Sequence, residues 1–160
     1  MNIREARVED LDQILDIYTI AKKFMRETGN KNQWNSSYPD RNLLINDIEK
    51  HQLYVMEEDM IHAVFAFIVG EDPTYKVIEG AWLEDSTYGT IHRIASDGKV
   101  HHIMEKAVNY CVTQCPHLRI DTHEDNKVMQ KLILRNGFKK TGIIHIADGS
   151  PRIAFEKVSL

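Results

Sequence analysis

The chain of 160 residues is 42% hydrophobic and 28% charged, a composition that suits a single folded domain over residues 1–160 and argues against intrinsic disorder. Its 20 basic and 24 acidic residues give a net charge of -4 without a long run of either sign, which disfavours binding to a nucleic-acid backbone. No stretch approaches the ~18 consecutive apolar residues that a membrane span needs. We therefore expect neither a nucleic-acid nor a membrane partner.

The predicted elements mix strands and helices, with no internal repeat and no linker that would divide the chain. Apolar residues from Leu11 to Met25 recur at spacings of three and four, which indicates a helix, and the apolar run from Ile61 to Val69 indicates a buried strand. In chain order we predict a strand at 3–7, a helix at 11–25 that ends at Gly29-Asn30, a loop at 30–39, a helix from the Asp40 cap to about residue 50, a hairpin of strands at 53–57 and 61–69, an irregular segment at 71–87, a strand at 88–95, a helix at 100–115, a strand at 118–122, a helix at 126–135, and strands at 138–147 and 152–157. This order favours a mixed sheet with helices on both faces.

The two cysteines, Cys111 and Cys115, lie four residues apart on a predicted helix, where they are not expected to form a disulfide. No cleavable signal peptide is recognised at Met1. Both observations predict a reducing, cytoplasmic location.

Five short segments, in this order and spacing, carry a family resemblance. They are Ile91-His-Arg-Ile-Ala-Ser96, Arg119-Ile-Asp-Thr-His-Glu-Asp-Asn126, Met129-Gln130, Asn136-Gly-Phe138 and Arg152-Ile-Ala-Phe155. Together they resemble a bacterial branch of the GCN5-related N-acetyltransferase (GNAT) family over nearly the whole chain. The resemblance implies an α/β (α+β) fold with a mixed, mostly antiparallel central sheet, central strands that splay apart, and helices on both faces.

The resemblance also implies a site for acetyl-CoA, the acyl donor, between the fourth and fifth strands of the family. Pantetheine pairs with the backbone of the fourth strand, and the pyrophosphate sits on the N-terminus of the next helix, where free N–H groups and the helix dipole favour an anion. Carried onto this sequence, the cofactor-binding residues are Ile94, Ala95, Ser96, Lys99, His101, His102, Ile103, Met104 and Asn126. Asn126 matches a family asparagine, and it can also cap the following helix.

The loop before that helix departs from the family pattern Gln/Arg-x-x-Gly-x-Gly/Ala. The pattern falls on residues 99–104, where His102 and Met104 occupy the two glycine positions. A Cβ at these positions narrows the approach of a phosphate, while the backbone amides remain as donors. The sequence therefore leaves open a cofactor site of lower affinity and a GNAT fold that no longer binds CoA.

Three side chains are candidate catalytic residues for proton transfer. Asp121 and His123 lie two residues apart on a predicted strand and so share one face, which suits a base for an ammonium proton. His92 lies on the fourth strand, and alternation sends it to the face opposite Arg93. Each has a structural alternative: an ion pair with Arg119 or a loop hydrogen bond for Asp121, a helix cap for His123, and a half-buried strand histidine for His92.

Two further features of the reaction follow from the resemblance. A backbone amide of the fourth strand polarises the thioester carbonyl in the family, and residues 94–96 would supply it here. The tyrosine that protonates the thiolate in many members corresponds to Ile133, so that acid is absent.

Trp34 and Tyr38 are the candidate substrate-binding residues, because the first helix–loop–helix region contacts the acceptor in the family. The alternative is that both anchor the loop to the core. The eight histidines show no tight ligand spacing, so no metal site is expected.

These observations predict an acetyl-CoA-dependent N-acetyltransferase that acts on the primary amine of a small molecule, with a homodimer left open. One alternative is a GNAT-fold module that binds CoA or a metabolite with weak or no turnover. The other is a protein or peptide N-acetyltransferase.

Overall fold

The computed structural model of the chain describes residues 1–159. This part of the chain holds eight strands and four α-helices. In chain order they are β1 (Asn2–Glu5), α1 (Leu11–Glu27), α2 (Arg41–Glu49), β2 (Leu53–Glu57), β3 (Ile61–Val69), β4 (Glu79–Gly80), β5 (Gly89–Ser96), α3 (Ile103–Gln114), β6 (His117–Thr122), α4 (Lys127–Arg135), β7 (Lys139–His145) and β8 (Pro151–Val158). None of the helices in residues 1–159 is both long and apolar enough to cross a membrane.

The strands follow the order β1-β2-β3-β5-β6-β8-β7-β4 and are mostly antiparallel, which confirms the predicted fold class. The chain divides into two compact units: unit 1 comprises residues 1–68 and 91–103, and unit 2 comprises residues 69–90 and the described residues from 104 onward. β5 gives its first two residues to unit 2 and the others to unit 1. The single domain over residues 1–160 stays a prediction.

Unit 1 contains β1, β2 and β3 as an antiparallel set, with β5 beside β3. The apolar run of β3 is buried from Ile61 to Phe67, so both faces of this strand are covered. Asp40 caps α2 as predicted, because its carboxylate accepts a hydrogen bond from the Leu43 amide at 2.8 Å. The core of this unit includes Leu11, Ile14, Ile17, Tyr18, Leu44, Leu53, Val55, Val64 and Ala95.

Unit 2 contains an antiparallel ribbon in the order β6-β8-β7-β4. The ladder between β6 and β8 places Arg119 opposite Glu156. The helix α4 starts after Asn126 and ends before Gly137, whose φ of +88° is a left-handed conformation that favours glycine at a helix C-terminus.

The parallel ladder between β5 and β6 consists of two pairs, Gly89 with Leu118 and Thr90 with Arg119. Both pairs lie at the start of the two strands. β6 meanwhile pairs with β8 along its whole length, from His117 to Thr122.

The main difference from the predicted elements is at the start of α3. The sequence predicts a helix from residue 100, whereas α3 begins at Ile103 after a series of bends. Two left-handed residues explain the delay, since Gly98 has a φ of +77° and His102 a φ of +65°. Cys115 lies one residue beyond α3, and it and Cys111 are buried free thiols.

A smaller difference concerns the segment predicted to be irregular over 71–87. It contains a 3₁₀ turn at Pro73–Tyr75 and the two-residue strand β4. Gly142 and Gly80 allow β4 to approach β7 closely, because a Cβ on Gly80 would lie 2.3 Å from a backbone oxygen.

Candidate functional site

Arg93 lies within β5, the strand that the family resemblance matches to the fourth strand, and its φ of +52° is left-handed. A left-handed conformation at a residue other than glycine costs about 1–3 kcal/mol and persists only where the surroundings hold it. The hydroxyl of Tyr18 donates to the Arg93 carbonyl at 2.7 Å, and the guanidinium donates to Asp47 at 2.8 Å. Helices α1 and α2 therefore fix an irregular backbone in the middle of β5.

This irregularity corrects one argument made from the sequence. The placement of His92 and Arg93 on opposite faces assumes an extended backbone, and the φ of Arg93 breaks that assumption. His92 is half-buried on β5, which fits its structural alternative, and its role as a base stays a prediction. The amides of Ile94, Ala95 and Ser96 follow directly after the irregular residue.

A buried hydrogen-bonded pair, His62 and Asp97, connects β3 to the turn after β5. His62 Nδ1 lies 2.8 Å from a carboxylate oxygen of Asp97, and the Asp97 amide donates to the His62 carbonyl at 3.0 Å. The other Asp97 oxygen accepts from the Lys99 amide at 2.9 Å. The hydrogen bond to Asp97, with a second to Asp59, holds the pKa of His62 above its ordinary value.

The two residues at the glycine positions of the family loop behave differently. His102 is exposed and left-handed, so it has the backbone conformation that a glycine adopts easily. Met104 is only 4% exposed, within α3, and its side chain belongs to the core. A contact between Met104 and a cofactor would therefore come from its amide. Lys99 and His101 are exposed beside His102.

Asp121 and His123, both predicted as a proton-accepting pair, have other partners. The hydroxyl of Tyr75 donates to Asp121 at 2.6 Å, and burial raises the pKa of Tyr75 well above its ordinary value, so the proton stays on the tyrosine. The His123 Nδ1 accepts from the Asp125 amide at 3.0 Å and so stabilises the turn before α4. Nothing in the sequence marked Tyr75, which lies in the segment predicted to be irregular.

Asn126 caps α4, because its side-chain oxygen accepts from the Met129 amide at 3.0 Å. The structural alternative for Asn126 is thus confirmed, and a contact with a cofactor stays a prediction.

Trp34 and Tyr38 lie together in unit 1. The Trp34 ring is 5.8 Å from that of Tyr18 and 5.9 Å from that of Tyr38, and it packs against the core of the unit. The Tyr38 hydroxyl accepts from the Arg93 guanidinium at 3.3 Å. Both side chains therefore anchor their loop, and their contact with an acceptor stays a prediction.

Unit 2 has a cavity of about 670 Å³ that the sequence analysis did not anticipate. Its walls include Trp82, Tyr88 and Arg119, with the guanidinium of Arg119 4.1 Å from the centre of each ring. This distance is typical of a cation–π contact. None of the residues predicted for the site lines this cavity, and the only sequence signal for it is the group of aromatic residues within 75–88.

Within residues 1–159, no group of three or more histidine, cysteine, aspartate or glutamate side chains is placed to hold a metal ion. The absence of a metal from the reaction stays a prediction.

Comparisons with known proteins place this fold. No protein-family model matches the chain, and no curated protein matches it. Among solved structures, a GNAT-family acetyltransferase from Streptococcus agalactiae 2603 is 31% identical, with a TM-score of 0.83, over 99% of this chain and 95% of that one. A structure from Staphylococcus aureus Mu50 is 24% identical, with a TM-score of 0.73, over 99% of both chains. A ribosomal-protein-alanine N-acetyltransferase from Brucella melitensis has a TM-score of 0.63 at 14% identity over 99% of both chains, which shows a shared fold alone.

The fold is thus that of the acetyltransferases. With 31% identity over nearly the full length of both chains, this protein belongs to the GNAT family.

Proposed function

We propose that the protein transfers an acetyl group from acetyl-CoA to the primary amine of a small molecule. The observation that carries the proposal is a left-handed residue at each of the two places where the family resemblance puts the donor: Arg93 in β5 and His102 directly before α3. Strained conformations of this kind cluster at functional sites. Acetyl-CoA supplies the acetyl group as a thioester, and the chain supplies binding, orientation and proton transfer.

The residues of unit 1 fit the donor in two places. The amides of residues 94–96 would pair with pantetheine, and the fixed Arg93 determines the direction in which they point. The left-handed His102 would keep the turn of the family loop, and the amide of Ile103, the first residue of α3, would then be available for the pyrophosphate. Lys99 and His101, both exposed on this loop, would add positive charge.

Transfer to an amine requires that the ammonium loses a proton before attack. We propose His123 as the group that accepts it, with Asp121 or His92 as the other candidates. The His123 Nδ1 accepts from the Asp125 amide, so Nε2 carries the hydrogen of a neutral ring and neither ring nitrogen has a free lone pair. To accept a proton, the ring would have to give up the Asp125 amide, either by taking the proton at Nδ1 or by first moving its hydrogen from Nε2 to Nδ1.

Two substitutions separate this role from the structural one. His123→Asn supplies a side-chain oxygen that can accept from the Asp125 amide in place of Nδ1, whereas His123→Ala leaves no side-chain acceptor. If His123 is the base, both variants lower kcat by roughly 10²-fold. If the asparagine variant retains full activity, His123 acts only by stabilising the turn, and the proposed role is wrong. His145→Ala, an exposed histidine on β7, is the matched control.

The test of the proposed function is a turnover assay with acetyl-CoA and a panel of amines. CoA release is followed with a thiol reagent, for which the buried Cys111 and Cys115 give little background, and the N-acetyl product is confirmed by mass. We expect turnover with at least one small primary amine. Binding of acetyl-CoA without turnover would identify a binding module, and turnover restricted to peptide N-termini or lysines would identify a protein acetyltransferase.

A further inference from the structure

An exposed serine in unit 2 is connected to a buried carboxylate through one histidine. The Ser86 hydroxyl lies 3.1 Å from Nδ1 of His117, and Nε2 of His117 lies 2.5 Å from Glu156. Ser86 lies in the segment between β4 and β5, while His117 and Glu156 lie on β6 and β8. A hydroxyl within reach of a base that a third group orients is the arrangement of an activated nucleophile.

The partners of Glu156 determine which ring nitrogen carries the hydrogen. Glu156 is fully buried, and its oxygens also accept from the Leu83 amide at 2.5 Å and from Nε of Arg119 at 3.3 Å. An ionised carboxylate only accepts hydrogen bonds, so in its contact with Glu156 the Nε2 of His117 carries the hydrogen. In a neutral imidazole, Nδ1 is then an acceptor, and the Ser86 hydroxyl donates to it.

The Ser86 carbonyl oxygen lies 3.2 Å from the same Nδ1. A carbonyl oxygen only accepts, so this contact is a hydrogen bond only when Nδ1 carries a hydrogen. It therefore offers an alternative in which a doubly protonated His117 donates to that carbonyl and Ser86 is an ordinary surface serine. The two arrangements differ in the reactivity of the hydroxyl, which an experiment can measure.

Ser86 is accessible from the cavity of about 670 Å³, whose lining it shares with Trp82, Tyr88 and Arg119. A cavity of this volume is within the range that holds small molecules. Its aromatic walls suit the apolar part of a short acyl group. The guanidinium of Arg119 lies on the same wall, against the rings of Trp82 and Tyr88, where it donates to Glu156 and to the Glu84 carbonyl.

We propose that Ser86 is a nucleophile that takes the acyl group of a short-chain ester, with His117 as its base and Glu156 as the residue that positions His117. The Ser86 Oγ forms a bond to the acyl carbon as its proton moves to Nδ1. The carbon–oxygen bond to the alcohol breaks, and the alcohol takes that proton. Water, deprotonated by the same Nδ1, then releases the carboxylic acid and restores Ser86.

A fluorophosphonate with a fluorescent tag tests the nucleophile directly on the full chain. The Ser86 oxygen displaces fluoride from phosphorus, and the adduct is located by mass spectrometry of the digested protein. We expect one adduct, on Ser86, that Ser86→Ala removes. The control Ser36→Ala, at an exposed serine of unit 1, should be labelled at the wild-type rate. No adduct on the wild type, or an adduct elsewhere alone, overturns the proposal.

The base and the positioning residue are tested by rate. His117→Gln should slow labelling by at least about 10²-fold, the contribution of a general base, and Glu156→Gln should slow it while Glu156→Asp restores part of the rate. Labelling of folded His117→Gln at the wild-type rate would show that Ser86 reacts without a base.

If His117→Gln does not fold, the burst of p-nitrophenol from p-nitrophenyl acetate decides the proposal. We expect a burst in the wild type that Ser86→Ala lacks, and equal bursts in the two proteins would overturn the proposal. Amine acetylation should be unchanged in Ser86→Ala. A failure of the nucleophile proposal can therefore be distinguished from a failure of the proposed acetyltransferase function.

Discussion

Each unit of the molecule buries a carboxylate almost completely, and the two carboxylates are used differently. Asp47 in unit 1 is 1% exposed and pairs with the guanidinium of Arg93. Glu156 in unit 2 is 0% exposed and is approached by His117 and Arg119, two groups that can carry positive charge. In unit 1 the Asp47–Arg93 pair holds the left-handed Arg93 of β5. In unit 2 Glu156 contacts His117, which in turn contacts the hydroxyl of the exposed Ser86.

Both buried carboxylates fix the conformation or orientation of a neighbouring side chain, and this effect can matter more than their net contribution to the free energy of unfolding. Replacing a buried pair by apolar residues is often neutral, but removing one partner leaves an uncompensated charge. Asp47 therefore matters for the conformation of Arg93, and Glu156 matters for the orientation of His117. Substitutions that remove one partner test the two clusters separately.

The largest expected effect is that of Glu156→Ala, which leaves His117 and Arg119 without their shared acceptor and the Leu83 amide unpaired. We expect a loss of about 3–5 kcal/mol in the free energy of unfolding, measured by urea denaturation. Glu156→Gln retains the shape and one acceptor, so its loss should be smaller. Equal losses in the two variants would show that the charge accounts for the whole effect and that the retained shape and acceptor contribute nothing.

The next effect is that of Asp47→Ala, which removes the carboxylate that pairs with Arg93 and accepts from Gln52 at 2.8 Å. We expect a loss of about 2–3 kcal/mol, because Tyr38 still accepts from the guanidinium. The affinity for acetyl-CoA should also fall, since the backbone of β5 is no longer held. The control Asp12→Ala removes an exposed ion pair and should cost less than about 1 kcal/mol. Unchanged affinity in a destabilised Asp47→Ala would separate this pair from the donor site.

A moderate effect is expected for Trp34→Ala, because the half-buried ring packs between Tyr18 and Tyr38. We expect a loss of about 1–2 kcal/mol in stability, below that of a fully buried tryptophan. The KM for the acceptor amine, measured on the same sample, decides the second role. A several-fold rise in KM with an unchanged Kd for acetyl-CoA would place Trp34 at the acceptor, and a melting loss alone would make it an anchor only.

The smallest effect is a pH dependence from His62. Its pKa is raised in the folded protein by Asp97 and then by Asp59, so the pair contributes stability that is fully present below the unfolded pKa of histidine. This contribution is lost as the pH rises through the folded pKa. Between about pH 6 and pH 8, the wild type should therefore lose stability relative to His62→Gln, measured by thermal melts at each pH. His145→Gln serves as the surface control, and parallel curves for wild type and His62→Gln would refute the linkage.

Several elements were predictable from the sequence because local patterns determine them. The bounds of β2 and β3 match the prediction, because an apolar run between polar turns is typical of a strand in a hairpin. The caps Asp40 and Asn126 also follow from residue type and position.

The site was less predictable because its features are conformational or distant in sequence. The left-handed Arg93 and His102 look ordinary in the sequence, since neither residue type favours a positive φ as glycine does. The hydrogen bond between Tyr75 and Asp121 joins residues 46 positions apart, and the path from Ser86 to Glu156 joins three elements. No local pattern encodes such pairs.

The most direct test of the donor site is calorimetric titration of acetyl-CoA into the wild type, His102→Gly and His102→Val. We expect the wild type to bind, His102→Gly to bind as tightly or more tightly, and His102→Val to bind about tenfold more weakly, because a β-branched residue resists a left-handed backbone by about 1–2 kcal/mol. His101→Val, on the neighbouring exposed residue, should bind like the wild type. No heat with millimolar acetyl-CoA, or valine and glycine variants of equal affinity, would contradict the account.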